Sequence, residues 1–370
     1  MTQPTTFGII GGYGAIGSMV VSELWKSCHG EILIGGRDLA KGKALAAKFD
    51  SRVSAAHLDV LDARSLDDFC SRCSIMVNCG GPVMVLQDRV AQAALRRHCH
   101  YINPGGLSVV KERMLPHSRE IADLGLSFIV SAGWIPGISE LLPSYADARA
   151  RAKMDTIESL TVYFGDSGEW SANAFREIAW YLRQSGLRSP GYFRKGEWVR
   201  AKRSRASRRL DLGGRVGLRR FYMFNTPELD QIGRRLNDCD FFSYAYVPSF
   251  RTAIAGTLVA LLPLSQELGA RLIRDAYRRD RVPVDGFVVV QVAGRAQGRR
   301  LALTVQIVYD EQRPYWIAGL VPATVARMIS QGKGVRAGVH FLADAVDPIA
   351  FMAELRKAGV EPTENFEPCA

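Results

Sequence analysis

The feature that most restricts the fold is the glycine pattern near the start of the chain. Gly12, Gly14 and Gly17 follow an apolar strand predicted at 5–11 and open a helix predicted at 15–26. In this context Gly12 permits a tight turn, Gly14 lets the backbone approach a pyrophosphate, and Gly17 lets helix and strand pack closely. The pattern therefore predicts a dinucleotide-binding βαβ unit, whose helix N-terminus meets the phosphates. The predicted contacts of this loop are Gly12, Tyr13, Gly14, Ala15, Ile16 and Gly17.

The end of the second predicted strand distinguishes between the two nicotinamide dinucleotides. Folds specific for NAD place an acid there, about 20 residues after the glycines, to bind the ribose 2′-hydroxyl. Here Gly36 and Arg37 take that place, and a guanidinium pairs well with a 2′-phosphate. Two other interpretations remain: Asp38 serves NAD from one position later, or Arg37 is only a solvated loop charge. We predict NADPH/NADP as the cofactor.

Strand and helix patterns alternate through residues 1–135, which is typical of a doubly wound parallel α/β sheet of the Rossmann type, and the domain is predicted to span 1–150. The character changes in residues 151–370. Longer β-branched strands at 157–164, 284–294 and 300–309 are joined by helices at 171–185, 227–236, 251–280, 321–331 and 347–358. This mixture predicts an α+β substrate or dimerisation domain with a mainly antiparallel sheet. The C-terminal helices are candidates to return to the first domain.

Further cofactor contacts are predicted at the carboxyl ends of the strands, because ligands of this fold bind along that edge. The fourth and sixth strands end in glycine-containing loops, as does the fifth at 100–106. Asp59 follows the third strand and either lies near the adenine or caps a helix. The additional predicted contacts are Asp59, Asn78, Gly80, Gly81, Pro82, Gly133 and Trp134.

Together these segments resemble the saccharopine-dehydrogenase-like family. The shared elements, in order, are GGYGAIG, GGR, HLDV, VNCGGP, HYINPGG and AGWIPGIS, and they span about residues 5–145. The resemblance implies NADP(H) or NAD(H) binding and hydride transfer to or from a C–N bond. The chain departs from the amino-acid dehydrogenases of the family at Asn103–Pro104, where an aspartate is common. In this respect, and in its short, arginine-rich second domain, it looks more like the thiazolinyl imine reductases of pyochelin-type siderophore assembly.

Reduction of an imine needs a hydride from the cofactor and a proton on nitrogen. The candidate proton donors are His100, Tyr101, Asp166 and His340, although each also has a purely structural interpretation. The leading hypothesis is reduction of a thiazoline on a carrier-bound siderophore precursor. A saccharopine- or carboxynorspermidine-type dehydrogenase of a free substrate is the second. A non-catalytic protein that senses NADP or binds nucleic acid is the third.

Charge adds a hypothesis about partners. The net charge is +11, and residues 188–220 hold twelve Lys/Arg and two acids. A solvated, partly mobile surface loop is the simplest interpretation of Arg188–Arg220. Docking of an acidic peptidyl carrier domain is the functional one, and nucleic-acid binding is the least favoured because no recognisable module surrounds the stretch. A homodimer is also expected.

The remaining signals concern location and metals. The start of the chain has no basic n-region, which favours a cytoplasmic protein. Residues 252–264 are too short to span a bilayer and are predicted to form a buried core helix. Cys70-x-x-Cys73 and the 98–100 segment lack a second ligand pair, so no metal site is predicted.

Overall fold

The computed structural model describes residues 5–105, 108–166, 168, 170–185, 190–279, 285–310 and 315–368. The chain divides into two compact units. The first contains Met1–Ile138 and Tyr315–Ala358, and the second contains Ser139–Pro314 and Gly359–Ala370. Residues 315–358 therefore lie with the first unit, although 151–370 were predicted as one domain whose C-terminal helices are candidates to return to the first. Gly106, Arg188 and Cys369 lie outside the described residues.

The first unit is built on a seven-stranded sheet of order β15-β6-β5-β4-β1-β2-β3, and all its strand pairs are parallel. Strand β1 lies between β2 and β4, so the strand order reverses beside it. Ligands of open parallel sheets bind at such a point, at the carboxyl ends of the strands. The strands, numbered in chain order over the whole molecule, are β1 Thr6–Ile10, β2 Glu31–Gly36, β3 Val53–His57, β4 Ile75–Asn78, β5 His100–Asn103, β6 Ser127–Val130 and β15 Gly338–Phe341.

Helices flank this sheet, and the central strands are buried on both faces, as their unbroken apolar runs predict. Helix α1 packs against α13, where Gly319 leaves no room for a side chain beside Met19. Residues 83–97 form two helices that are interrupted at Gln87, which has a φ of 49°. Residues 109–123 are likewise divided, by a 3₁₀ turn, Leu115–His117, that contains Pro116. The helices are α1 Ala15–Ser27, α2 Leu39–Ala46, α3 Ala63–Cys70, α4 Val83–Leu86, α5 Arg89–Arg96, α6 Val109–Met114, α7 Ser118–Asp123, α13 Trp316–Ser330, α14 Leu342–Ala345 and α15 Pro348–Lys357.

The second unit contains a nine-stranded mixed sheet whose main path is β10-β11-β12-β7-β13-β14-β16, with β8 paired to β12 and β9. Among the strand pairs described in this sheet, β7 and β12 are parallel and the others are antiparallel. The predicted α/β fold with a mainly antiparallel second sheet is thus confirmed. The strands are β7 Thr156–Asp166, β8 Gly191–Arg194, β9 Glu197–Arg200, β10 Ser207–Asp211, β11 Leu218–Met223, β12 Asp240–Tyr246, β13 Asp285–Ala296, β14 Arg299–Asp310 and β16 Thr363–Pro368.

The helices of the second unit are α8 Ile138–Arg151, α9 Ala172–Ser185, α10 Pro227–Arg235, α11 Phe250–Leu261 and α12 Gln266–Arg278. The predicted helix at 251–280 is therefore two helices. Helix α11 ends before Pro263, and α12 starts anew with Ser265 as its N-cap. The prediction of a buried helix at 252–264 is wrong: Ala255 and Val259 are buried, but the opposite face of α11 is exposed.

The basic stretch is more ordered than a solvated loop. Its described residues form β8, β9, a 3₁₀ turn at Arg203–Arg205, and the hairpin of β10 and β11 at the edge of the sheet. Arg208 on β10 points inward, where its guanidinium bonds to the hydroxyls of Tyr163 (2.8 Å) and Tyr244 (2.7 Å). The interpretation of this stretch as a partly mobile loop is therefore wrong for the hairpin.

Candidate cofactor and active site

The glycine loop forms the turn that its sequence predicts. The Gly11 N–H donates to the Gly35 carbonyl at 2.8 Å, and the Gly14 N–H donates to the Gly11 carbonyl at 2.8 Å. Gly14 is the N-cap of α1 in extended conformation, and no side chain caps the helix. A Cβ on Gly17 would lie 2.7 Å from the Cα of Gly12, so only glycine lets α1 approach the loop this closely. Ala15 and Ile16 form the first turn of α1, whose N–H groups suit a pyrophosphate.

Tyr13 joins this loop to the end of β2. Its hydroxyl accepts a 3.1 Å hydrogen bond from the Asp38 N–H. Its ring covers Gly36, where a Cβ would come within 2.5 Å of the ring. The glycine before Arg37 is therefore needed for the close approach of two loops. This contact holds the turn after β2 beside the phosphate-binding loop.

Arg37, Asp38 and Lys41 define the charge of this region, which forms a surface pocket with Tyr13 and Leu39. Asp38 caps α2: its carboxylate accepts from the Lys41 N–H at 3.0 Å and pairs with the Lys41 ammonium at 3.3 Å. The backbone N–H of Lys41 holds the pKa of Asp38 below its ordinary value. The Arg37 side chain is exposed and pairs with no carboxylate of the described residues.

The arrangement fits a 2′-phosphate better than a 2′-hydroxyl. Asp38, the acid at the end of β2, already caps α2 and pairs with the Lys41 ammonium, whereas the Arg37 guanidinium beside the pocket pairs with no described carboxylate. Lys41 was not among the sequence predictions. The sequence feature that could have identified Lys41 is its spacing from Asp38. An N-cap aspartate places the lysine three residues later in the first turn of the helix, beside the turn after β2.

Asp59 holds a local turn. Its carboxylate accepts from the Leu61 N–H at 2.9 Å, and its own N–H donates to the Ser65 hydroxyl at 3.1 Å. The N-cap of α3 is Asp62 rather than Asp59. Asp59 therefore shapes the loop after β3 and does not cap the helix that follows.

A buried polar network organises the loops after β4 and β5. The amide nitrogens of Asn78 and Asn103 both donate to the Tyr101 hydroxyl, at 3.4 and 3.0 Å. Their amide oxygens accept from the N–H groups of Gly80 (3.1 Å) and Gly105 (2.6 Å). Each asparagine thus ties its own loop to the same tyrosine. Burial raises the pKa of Tyr101 to about 12, so the phenol stays protonated.

The other predicted cofactor residues lie along the same edge. Pro82 is the N-cap of α4, and Gly81 is exposed before it. Gly133 packs against the loop after β5, since a Cβ there would lie 2.5 Å from the Pro104 carbonyl oxygen. Trp134 is 5% exposed. Because the sheet is parallel, the loops after β1, β4, β5 and β6 all leave its carboxyl edge.

Each of the four predicted proton donors forms hydrogen bonds within the protein, so none of them is a free acid. The prediction that His100 lies in the cleft is corrected by its position. It begins β5, at the amino edge of the sheet, and its Nδ1 accepts from the Ser127 N–H at 3.1 Å. Burial lowers its pKa. Tyr101 is 0% exposed within the network just described, a position that suits a positioning residue better than the predicted proton donor.

His340 and Asp166 likewise have structural partners. The His340 ring lies over Gly338 and its Nε2 contacts the Ala337 carbonyl at 2.9 Å, so it turns back toward the amino edge. Asp166, in the second unit, accepts from the Gly168 N–H and from the Tyr309 hydroxyl, both at 2.9 Å. The structural interpretation therefore accounts for the contacts of both residues.

The cysteines near the first sheet are core residues. Cys70 and Cys99 are fully buried, and the Cys99 thiol contacts the Cys70 and Cys73 carbonyls. Burial raises the pKa of Cys70 to about 12 and that of Cys99 to about 11. These thiols are therefore protonated and unreactive near neutral pH.

Comparison with known proteins agrees with this geometry. Residues 7–129 match the family model described as the saccharopine dehydrogenase NADP-binding domain. No curated protein matches the sequence significantly. Among solved structures, saccharopine dehydrogenase (L-Glu forming) from Saccharomyces cerevisiae is similar at a TM-score of 0.70 and 15% identity, over 98% of this chain and 100% of that one.

Two further structures are less similar, with TM-scores below 0.5. GenD2 from gentamicin A biosynthesis, in complex with NAD, gives 0.44 at 13% identity over 99% of this chain and 97% of that one. The Pseudomonas aeruginosa RhlG/NADP complex gives 0.29 at 14% identity over 34% of this chain and 69% of that one. The yeast structure, at 15% identity, shows a shared fold over the whole chain.

The glycine loop, the basic pocket after β2 and the parallel sheet define an NADP-dependent oxidoreductase. Residues 7–129, about a third of the chain, are similar to the NADP-binding domain of saccharopine dehydrogenase. The nicotinamide cofactor is NADP. The chemistry that NADP supplies is hydride transfer. The Gly14 backbone and the N-terminus of α1 fit its pyrophosphate, and Arg37 fits its 2′-phosphate.

Proposed function

We propose that this protein is an NADPH-dependent imine reductase, which delivers hydride to a C=N bond. The observation that supports the proposal is that Tyr101 and His100 form hydrogen bonds with Asn103 and the Ser127 backbone. Hydride addition to a carbonyl creates an alkoxide that needs a proton donor. Hydride addition to a protonated imine gives a neutral amine directly, so a site in which Tyr101 and His100 supply no proton suits an iminium substrate. The Rossmann unit has only to orient the cofactor and keep water out.

The reaction is tested by following NADPH oxidation with a cyclic imine and with the ketone of the same ring size. We expect turnover of the imine, and we expect kcat/KM to rise as the pH falls toward the pKa of the imine nitrogen. A Tyr101→Phe variant should retain this pH profile, because the phenol does not supply the proton. Turnover of the ketone alone, or a pH profile that disappears in Tyr101→Phe, would refute the proposal.

The narrower proposal is a thiazoline substrate on an acidic peptidyl carrier domain, in siderophore assembly and in the cytoplasm. Arg209 on β10 and Arg220 on β11 support it. They are direct cross-strand partners, and both are exposed. No described carboxylate forms a salt bridge with either. Like charges placed opposite each other destabilise a hairpin, so an anionic partner gives this pair a function.

The carrier proposal is tested with Arg209→Glu/Arg220→Glu, which spares the inward-pointing Arg208. The matched control is Arg299→Glu/Arg300→Glu, which changes the charge equally on another exposed hairpin of the same unit. We expect the first variant to lower kcat/KM for a carrier-bound thiazoline by about tenfold or more at low salt, and by less at high salt.

A small soluble thiazoline should be reduced equally well by both variants and by the unmodified protein. An equal loss for bound and soluble substrates would place the arginines at the active site. An equal loss of kcat/KM in both variants would show that the effect comes from net charge alone. Either result would contradict carrier docking at this hairpin.

A further inference from the structure

Helix α11 presents an apolar face to solvent. Phe250, Ile254, Leu258 and Leu261 are 74, 43, 38 and 65% exposed, and their spacing along the helix puts them on one side. Leu262, directly after α11, and Leu268 of α12 are also exposed, at 46 and 52%. We call these six residues the α11 face. The other exposed large apolar side chains of the described residues are scattered along the chain.

The opposite side of α11 packs against its neighbours in the second unit. Ala255 and Val259 are buried in a cluster with Phe175 and Ala179 of α9 and Ile273 of α12. Gly269 of α12 lies beside Val259, where a Cβ would be 3.2 Å from it. The helix is therefore held in place by its neighbours in the second unit, and the α11 face is a preformed surface.

We propose that the α11 face is the interface between two copies of this chain. The six side chains expose on the order of 500 Å² of apolar surface, which exceeds the scattered exposure normal for a monomer. A stable dimer buries roughly 800 Å² on each partner, about 65% of it apolar. The α11 face therefore matches the apolar part of such an interface.

The charge pattern favours a second copy over other partners. Residues 252–265 contain no charged side chain, and Arg251 is the only charge in α11. An acidic protein would gain little from a neutral surface, and a helix that binds anionic membranes carries several basic residues on its polar side. A neutral apolar face is complementary to itself, as a two-fold interface requires. Two chains of net charge +11 would then meet along a helix whose only charged residue is Arg251.

The test is sedimentation velocity of the full chain across micromolar concentrations. The unmodified protein should sediment at twice 40.8 kDa. Ile254→Glu/Leu261→Glu should raise the dimer dissociation constant on the order of 100-fold. The control Leu115→Glu/Leu124→Glu alters two apolar residues of the first unit that are 54 and 43% exposed, and should remain dimeric.

A second measurement does not depend on any variant folding. Hydrogen exchange of the unmodified protein should slow at 250–262 as the concentration rises through the dissociation constant. A monomer at every concentration, or a dimer that survives Ile254→Glu/Leu261→Glu, overturns the proposal. Flotation of the unmodified protein with phosphatidylserine vesicles, lost in that variant while the protein remains a monomer, would assign the α11 face to a membrane instead. None of these outcomes depends on the reaction catalysed.

Discussion

The Tyr13 hydroxyl accepts a 3.1 Å hydrogen bond from the Asp38 N–H and thereby joins the phosphate-binding loop to the turn after β2. The turn is thus held where Arg37 and Lys41 line the same pocket as the tyrosine. The contact also explains Gly36, since any side chain there would collide with the Tyr13 ring. Tyr13 thus connects the predicted pyrophosphate loop to the predicted 2′-phosphate pocket.

Two glycines of the loop should fail in different ways. Gly14 has an ordinary extended conformation, and a Cβ would meet only the Gly11 carbonyl oxygen, at 3.1 Å. Gly14→Val should therefore fold and lose NADPH binding, because its side chain takes the place of the pyrophosphate. Gly17→Val should lose about 3 kcal/mol or more of stability, because its side chain overlaps the backbone at Gly11 and Gly12. Circular dichroism melts and NADPH fluorescence titration on the same samples separate the two effects. Normal NADPH affinity in a folded Gly14→Val variant would contradict this account.

Tyr101→Phe should destabilise the first unit by about 1–3 kcal/mol, because two buried amide donors lose their shared acceptor. Urea unfolding followed by intrinsic fluorescence measures the change. Tyr222→Phe is the control, since its hydroxyl forms no hydrogen bond with the described residues. Equal stability of the two variants would show that Asn78 and Asn103 do not depend on the phenol.

His100 makes stability depend on pH in a defined direction. Burial lowers its pKa in the folded state below the ordinary value of 6.5, so the unfolded chain binds more protons between the two values. The free energy of unfolding should therefore fall as the pH drops through this window. His100→Asn keeps an acceptor for the Ser127 N–H and removes the titration, so its stability should change less with pH. Urea unfolding above and below pH 6.5 tests this, and an unchanged slope in the variant would exclude His100 as the cause. His340, whose pKa burial also lowers, contributes in the same direction in both proteins.

The first unit was largely predictable because its strands are short apolar runs bounded by glycine, proline and asparagine. The central strands need no alternation, since both of their faces are covered. The break at Gln87 could not be read from the sequence. A non-glycine residue with positive φ leaves no compositional signal, and it is held there by the surrounding fold.

The second unit shows two reasons why a pattern misleads. In β10, Arg208 points inward to Tyr163 and Tyr244 while Arg209 points outward, so both faces carry arginine and the strand has no apolar alternation. In α11 the apolar residues surround the helix, which is typical of a buried segment. The sequence does not reveal whether the partner that covers them belongs to the same chain.

The proton donors were the weakest part of the site prediction. His100 and Tyr101 are adjacent to a predicted ligand loop in sequence, but strand direction places His100 at the other edge of the sheet. Tyr101 points into the core, since alternate residues of a strand face opposite sides. Placement of a side chain on a strand end requires both the direction and the register of that strand, and neither is contained in a short motif.

The most direct test of the central claim is the affinity of the protein for NADPH and NADH, measured by fluorescence titration for the unmodified chain and for Arg37→Ala. We expect NADPH to bind more tightly than NADH. Arg37→Ala should remove about 1.5–3 kcal/mol of NADPH affinity, the scale of a hydrogen bond to a charged group, and leave NADH binding almost unchanged. Lys41→Ala should weaken NADPH binding in the same selective way. Preference for NADH, or an equal loss of both cofactors in Arg37→Ala, would contradict recognition of the 2′-phosphate at this pocket.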